Sequence, residues 1–192
     1  PRQPRVANVG DVPSKPPLAS GAASQPVQLA TFSQGAYWLG LDSRLIQRAS
    51  PDGKLLAAAN MPRPFCGMVH IQNKVYPVLD LRQVVADQAE ASGDGARQLI
   101  VLQVPLENGT HAEFALRVDR LGAMLDLDRQ QLQAINMPHN AGPSMIDAVV
   151  RFDGTAGYTS NVLCQLSRRW LQYCVGNLKG EFSAHDLGQF VA

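Results

Sequence analysis

FCGMVHIQNKVYPVLDLRQVV, residues 65–85, carries the reading of the fold. Phe65 to Ile71 and Lys74 to Leu79 are two short runs rich in apolar residues, and the Gln72-Asn73 pair between them has turn chemistry. The stretch therefore predicts a β-hairpin, followed by a short helix over Leu81 to Ala86. Working outward, the same punctuation recurs. Upstream, Val27 to Ser33 alternates apolar and polar side chains and Ala36 to Leu41 follows across a Gln34-Gly35 turn, a second hairpin. Asp42 to Arg48 reads as a helical turn capped by Asp42, and Leu55 to Ala59 as a strand.

Downstream, residues 87 to 96 (DQAEASGDGA) have no large apolar side chain and read as a mobile loop dividing the β-rich region into halves. The second half repeats the rhythm, with strands at Gln98 to Val104, Glu113 to Val118 and Gly122 to Leu127, then a helical turn over Asp128 to Ala134. Asn108-Gly109 between two strand-like runs is a hairpin turn before it is a glycosylation sequon. A loop at Asn136 to Ser144 precedes a strand at Ile146 to Phe152, an Asp153-Gly154 turn and an irregular run from Tyr158 to Leu166. Ser167 then caps a helix carrying Trp170, Leu171, Cys174 and Val175 on one side, and Ser183 to Val191 reads as a last short helix. Many short strands with brief helices indicate an all-β sandwich or barrel.

Composition narrows the function. The 192 residues include 17 basic and 16 acidic side chains, a net charge of +1, which leaves no basic footprint for nucleic acid. With 45% hydrophobic residues, the chain can bury a sizeable core. Six of its 13 prolines fall in the first 26 residues, so residues 1–26 read as a Pro/Ala/Ser-rich disordered tether. With no initiator Met, the chain reads as the C-terminal piece of a longer protein or as a processed one. No run approaches the roughly 18 apolar residues of a membrane span and no signal peptide is present, so a cytoplasmic chain with no direct membrane contact is expected. Three cysteines without a C-x-x-C pair fit buried thiols in a reducing compartment.

Catalytic signatures are missing: no H-E-x-x-H, no G-x-S-x-G elbow and no phosphate loop. His70, His111, His139 and His185 are scattered, so no metal ligands, no cofactor and no catalytic residues are assigned. Asp126 and Asp128 flank Leu127 and could suggest an acid–base pair, but the simpler reading makes Asp128 a helix cap and leaves Asp126 solvated. Asp119 reads as a turn residue. Tyr37 and Trp38 are adjacent in a strand, so they face opposite sides and at least one belongs to the core, which removes a stacking platform.

The residues 65–85 resemble the most recognisable stretch of the CheW family of chemotaxis coupling proteins, in which a Gly-Val-Ile-Asn-Leu-Arg-Gly strand-turn leads into Pro-Val-Ile-Asp-Leu-Arg. Gly67, Val69, Ile71, Pro77, Leu79, Asp80, Leu81 and Arg82 follow that pattern. FALRVDRLGAMLDLDRQQLQAI (114–135) is similar to the family's Val-Asp segment, YWLGLDSRLIQR (37–48) to its strand and helix near the start of the domain, and AVVRFDG (148–154) and LCQLSRRWL (163–171) to its closing strand and C-terminal helix. The resemblance covers residues 27 to about 175. It implies two SH3-like five-stranded β-barrel subdomains sharing an apolar core, with short helices and a C-terminal helix. The expected organisation is a domain over 27–180, split near 87–96, and a tail over 181–192.

The family's members are adaptors without an active site. The resemblance therefore implies partners: the regulatory domain of a CheA-type histidine kinase and the cytoplasmic tip of a methyl-accepting chemoreceptor. By position, Leu41, Leu45, Val118 and Leu121 would line a groove for a receptor helix, and Phe65, Met68, His70, Gln72 and Asn73 a kinase-facing edge. For the apolar members of both sets, plain core packing is an equally good reading. Three family charges are neutral here, at Gln72, at Ile46 or Gln47, and at Gln165. Together with the Pro-rich front, these departures point to a divergent domain of a larger scaffold at polar chemoreceptor arrays, as in array-localisation proteins of the ParP type, with a polar-localisation partner for the region upstream. The alternative is a CheW-like regulatory domain fused to a histidine kinase.

Overall fold

The structure is a computed structural model and describes residues 25–85, 96–135, 142–154 and 160–178. Most of the expected tether, loop residues 87–95 and 136–141, Tyr158, His139, His185 and the expected helix over Ser183 to Val191 lie outside the described residues. Among the described residues, twelve strands and one α-helix follow in chain order. These are β1 (Val27–Gln34), β2 (Tyr37–Asp42), β3 (Ile46–Pro51), β4 (Leu55–Leu56), β5 (Phe65–Ile71), β6 (Lys74–Asp80), β7 (Gln98–Pro105), β8 (His111–Val118), β9 (Arg120–Leu127), β10 (Gln133–Ala134), β11 (Ile146–Arg151), β12 (Val162–Leu166) and α1 (Arg168–Leu178). Single 3₁₀ turns sit at Ser43–Leu45, Leu81–Gln83 and Arg129–Gln131.

The strands form two sheets, in the orders β10-β11-β12-β2-β1-β9 and β3-β7-β8-β6-β5-β4. Each consists of five longer strands plus a two-residue addition, β10 or β4. The hairpin over 65–80 forms as its sequence predicts, pairing Met68 with Pro77 and Ile71 with Lys74. Its bulge falls between Phe65 and Gly67, and at Gly67 a Cβ would stand 2.7 Å from the Leu56 carbonyl oxygen. Only glycine lets β4 approach that closely. Asn108-Gly109 makes the expected turn, with Gly109 at φ +80° and the Asn108 side chain accepting from the Thr110 N–H at 3.0 Å.

Several expectations need correction. The strand expected over Leu55 to Ala59 is only Leu55–Leu56, and the helical turn expected over Asp128 to Ala134 ends at Gln131, with Gln133–Ala134 pairing to β11 as a strand. The helical turn of Asp42 to Arg48 is only three residues long, capped by Asp42 accepting from the Arg44 N–H at 3.0 Å, and Ile46 onward is strand β3. From Ile46 to Pro51, half-buried and exposed residues alternate, and pairing with β7 favours that period of two over helical continuation. The chain also does not divide between the sheets at 87–96, because β6 before that loop and β7 after it belong to the same sheet. The crossings lie between β2 and β3 and between β8 and β9. The reason is the parallel pairing of β6 with β8, matched in the other sheet by that of β12 with β2. Each pairing draws a late strand back beside an early one.

Each sheet curls around its own apolar cluster: Val69, Tyr76, Val78, Leu99 and Val101 in one, Leu29, Trp38, Leu127, Val150 and Leu163 in the other. A third and larger cluster joins them, with Phe32, Leu39 and Leu41 from one sheet, Phe114, Leu116 and Val118 from the other, and α1 laid across. Ser167 starts that helix by accepting from the Trp170 N–H at 3.2 Å, and Trp170, Leu171, Cys174, Val175 and Leu178 form its inner face.

Leu171 is fully buried in the shared cluster. Leu171→Ala should cost about 2–5 kcal/mol in denaturant unfolding. Because one cluster holds both sheets, Trp fluorescence and far-UV circular dichroism should still report a single coincident transition.

Candidate functional site

The described residues contain no group of three or more His, Cys, Asp or Glu side chains fit to hold a metal ion. His70 and His111 are exposed on strands, Asp126 accepts from the Gln28 amide at 2.9 Å, and the Asp128 N–H donates to Gln131 Oε1 at 2.9 Å as the Arg129–Gln131 turn begins. All three cysteines are free thiols, and burial pushes that of Cys174 up to about 12. Trp38 is core and Tyr37 is exposed, as strand alternation requires.

What the fold assembles is a charged junction between the sheets. Arg97, just before β7 and 7% exposed, grips Asp80 with both terminal nitrogens at 2.7 and 2.8 Å. Its Nε lies 3.3 Å from Asp119, which occupies the crossing between β8 and β9. Asp119 accepts from Arg82 at 2.9 Å and, on its other oxygen, from the Gly35 N–H at 2.8 Å and the Gln34 amide at 3.2 Å. One carboxylate thus ties the β1–β2 turn of one sheet to two arginines of the other. Arg117 extends the cluster to Asp52. Burial alone would raise the Asp80 pKa, but the bonds from Arg97 and from the Arg82 N–H, with the positive field of Arg97 and Arg117, hold it below its ordinary 3.8.

The residues expected at the receptor groove do come together, as core. Leu41, Leu45 and Val118 are buried in the shared cluster, and Leu121, half-buried, packs against it. The residues expected at the kinase edge divide. Phe65 and Met68 are buried, Phe65 in edge-to-face contact with Phe114 at 6.0 Å, while His70, Gln72 and Asn73 are exposed at the β5–β6 turn.

Around that turn stands a polar cluster whose centre the sequence reading did not single out. Arg48 reaches from β3 to donate to Gln72 Oε1 at 2.6 Å and to the Tyr76 hydroxyl at 2.8 Å. The guanidinium that Gln72 lacks is therefore brought to the turn from β3, at the other end of the strand order. Lys74 pairs with Glu113, which also accepts from the Gln47 amide at 3.1 Å. The bond from Lys74 holds the Glu113 carboxyl below the ordinary range despite some burial, and the same bond raises the Lys74 ammonium. A cleft of about 480 Å³ opens beside the turn between β3 and β5. The cluster presents polar side chains held in place by one another around the turn, an arrangement suited to binding.

Comparison with known proteins gives a family and a fold. The family model described as the CheW-like domain matches residues 28–164. The structure resembles that of the scaffolding protein TtCheW from Thermoanaerobacter tengcongensis, with a TM-score of 0.57 and 15% identity over 74% of this chain and 90% of that one. A search of curated proteins finds no match. No helix of the described residues is long and apolar enough to cross a membrane.

Two outcomes test the junction. Arg97→Leu leaves Asp80 buried without its main partner and should cost about 3–5 kcal/mol in denaturant unfolding. The Asp80 pKa is lower folded than unfolded, so its contribution is full above the unfolded value and is lost as pH falls through the folded one. Stability should decline below about pH 4, and Asp80→Asn should flatten that decline.

Proposed function

The chain belongs to the CheW-like domain family, and on that premise we propose that it is a non-enzymatic adaptor of chemotaxis signalling. It binds the regulatory domain of a CheA-type histidine kinase, the cytoplasmic tip of a methyl-accepting chemoreceptor, or both, and so brings a larger protein into polar chemoreceptor arrays in the cytoplasm. A further partner at the pole engages the region upstream.

The observation that carries this reading is the β5–β6 turn, where His70, Gln72 and Asn73 are exposed, backed by Arg48 and flanked by the Lys74–Glu113 pair. It offers fixed hydrogen-bonding groups on a rigid hairpin, a form suited to a coupling surface. Neutral Gln72 with a borrowed guanidinium suits a partner different in detail from that of the family's standard couplers. Phe65 and Met68 support the turn from inside the protein and Leu41, Leu45 and Val118 support the sheet junction, so their part in binding is indirect.

Isothermal titration calorimetry against the isolated kinase regulatory domain and, separately, a receptor tip tests the proposal. Binding to one or both is expected, and binding to neither sinks it. Arg48→Ala and His70→Glu should each weaken the interaction by about 1–2 kcal/mol with little change in melting temperature. Val118→Ala should instead lower stability first.

A further inference from the structure

A groove of about 750 Å³ between α1 and the β7–β8 hairpin shares no residue with the surface proposed above. Leu106 and Glu107 stand on the hairpin wall, and Arg169, Tyr173 and Gly176 on the helix wall. Tyr173 is 45% exposed, one of three large apolar side chains so open among the described residues. Gly176 lies inside α1, where glycine weakens a helix relative to alanine, yet a Cβ built there meets no described atom within 4 Å. Nothing within the described protein accounts for it. Arg169 and Glu107 carry opposite charges on facing walls, and neither side chain has a hydrogen bond or ion pair among the described residues.

We propose that a second copy of this chain covers the groove. In a two-fold contact every interaction is made twice, so a surface that docks on itself must carry both halves of each. This one does. Tyr173 and Gly176 are three residues apart, hence on one face of the helix, and a two-fold axis between them seats each ring on the bare backbone of the other copy's glycine. The surface also carries both signs, Arg169 on the helix wall and Glu107 on the hairpin wall, so two copies meeting here supply each charge with an opposite one. The aromatic rings supply buried area, while the exposed charges chiefly set register.

Sedimentation equilibrium of the full chain over a wide concentration range should show a monomer–dimer equilibrium. Arg169→Glu and Glu107→Arg should each weaken dimerisation about tenfold, since the altered contact occurs twice, and the double charge swap should restore it. Gly176→Leu should abolish the dimer while leaving the melting temperature unchanged or higher, because leucine favours the helix. Melting curves of every variant separate lost association from lost folding. A chain monomeric at all concentrations, including one whose own residues 179–192 fill the groove, overturns the proposal. So does a dimer indifferent to the charge swaps or to Gly176→Leu.

Discussion

The ion pair between Arg97 and Asp80, extended to Asp119, is the constraint on which the arrangement of the two sheets depends. A guanidinium taken out of water needs partners that recover its hydration, and here these come from residues far apart in sequence. Asp80 ends β6, Arg97 stands before β7, and Asp119 occupies the crossing into the other sheet. The apolar cluster beside this junction presses the sheets together without fixing their relative position, because hydrophobic contact has no direction. The bidentate grip on Asp80 and the bonds from Asp119 to the β1–β2 turn are directional. Packing thus supplies the attraction between the sheets, and ion pairing supplies their register.

Much of the fold was legible in the sequence, for physical reasons that differ between elements. The hairpin over 65–80 and the α1 helix carry local signals, alternation with a turn pair in one and a serine cap with an apolar face in the other. Strand β3 was not legible, because Asp42 gives a sound start signal for a helix and only pairing with β7, about fifty residues later, overrules it. The division of the sheets was hidden for the same reason. A polar loop at 87–96 looks like a boundary, but strand partners are chosen by long-range pairing and not by loop composition. Family resemblance supplied the two-sheet architecture that local patterns left open.

The site was less legible than the fold. Apolar positions of a family motif are compatible with both core and interface, and here Leu41, Leu45, Phe65, Met68 and Val118 are core. Polar residues of the β5–β6 turn were readable as exposed, but not Arg48, whose contact with Gln72 joins β3 to a turn in another part of the sheet. Asp119 read as a turn residue, and it is one, yet its role as the shared acceptor of Arg82, Gln34 and Gly35 appears only when those residues are placed. Val-Asp and Asp-Leu-Arg were already marked in the resemblance, and these two motifs meet at the junction.

The parallel pairing of β12 with β2 has a further consequence, for the order in which the chain becomes protein. Within the described chain, β1 and β2 are made before β9 and β12, which their sheet needs for completion, whereas β3 to β8 form a contiguous run. During synthesis the contiguous sheet is therefore the earlier scaffold, and the opening hairpin stays half-partnered until residue 166 has emerged. Such a molecule is slow to complete. Once β12 is in place, it closes the free side of β2 and with it the opening hairpin.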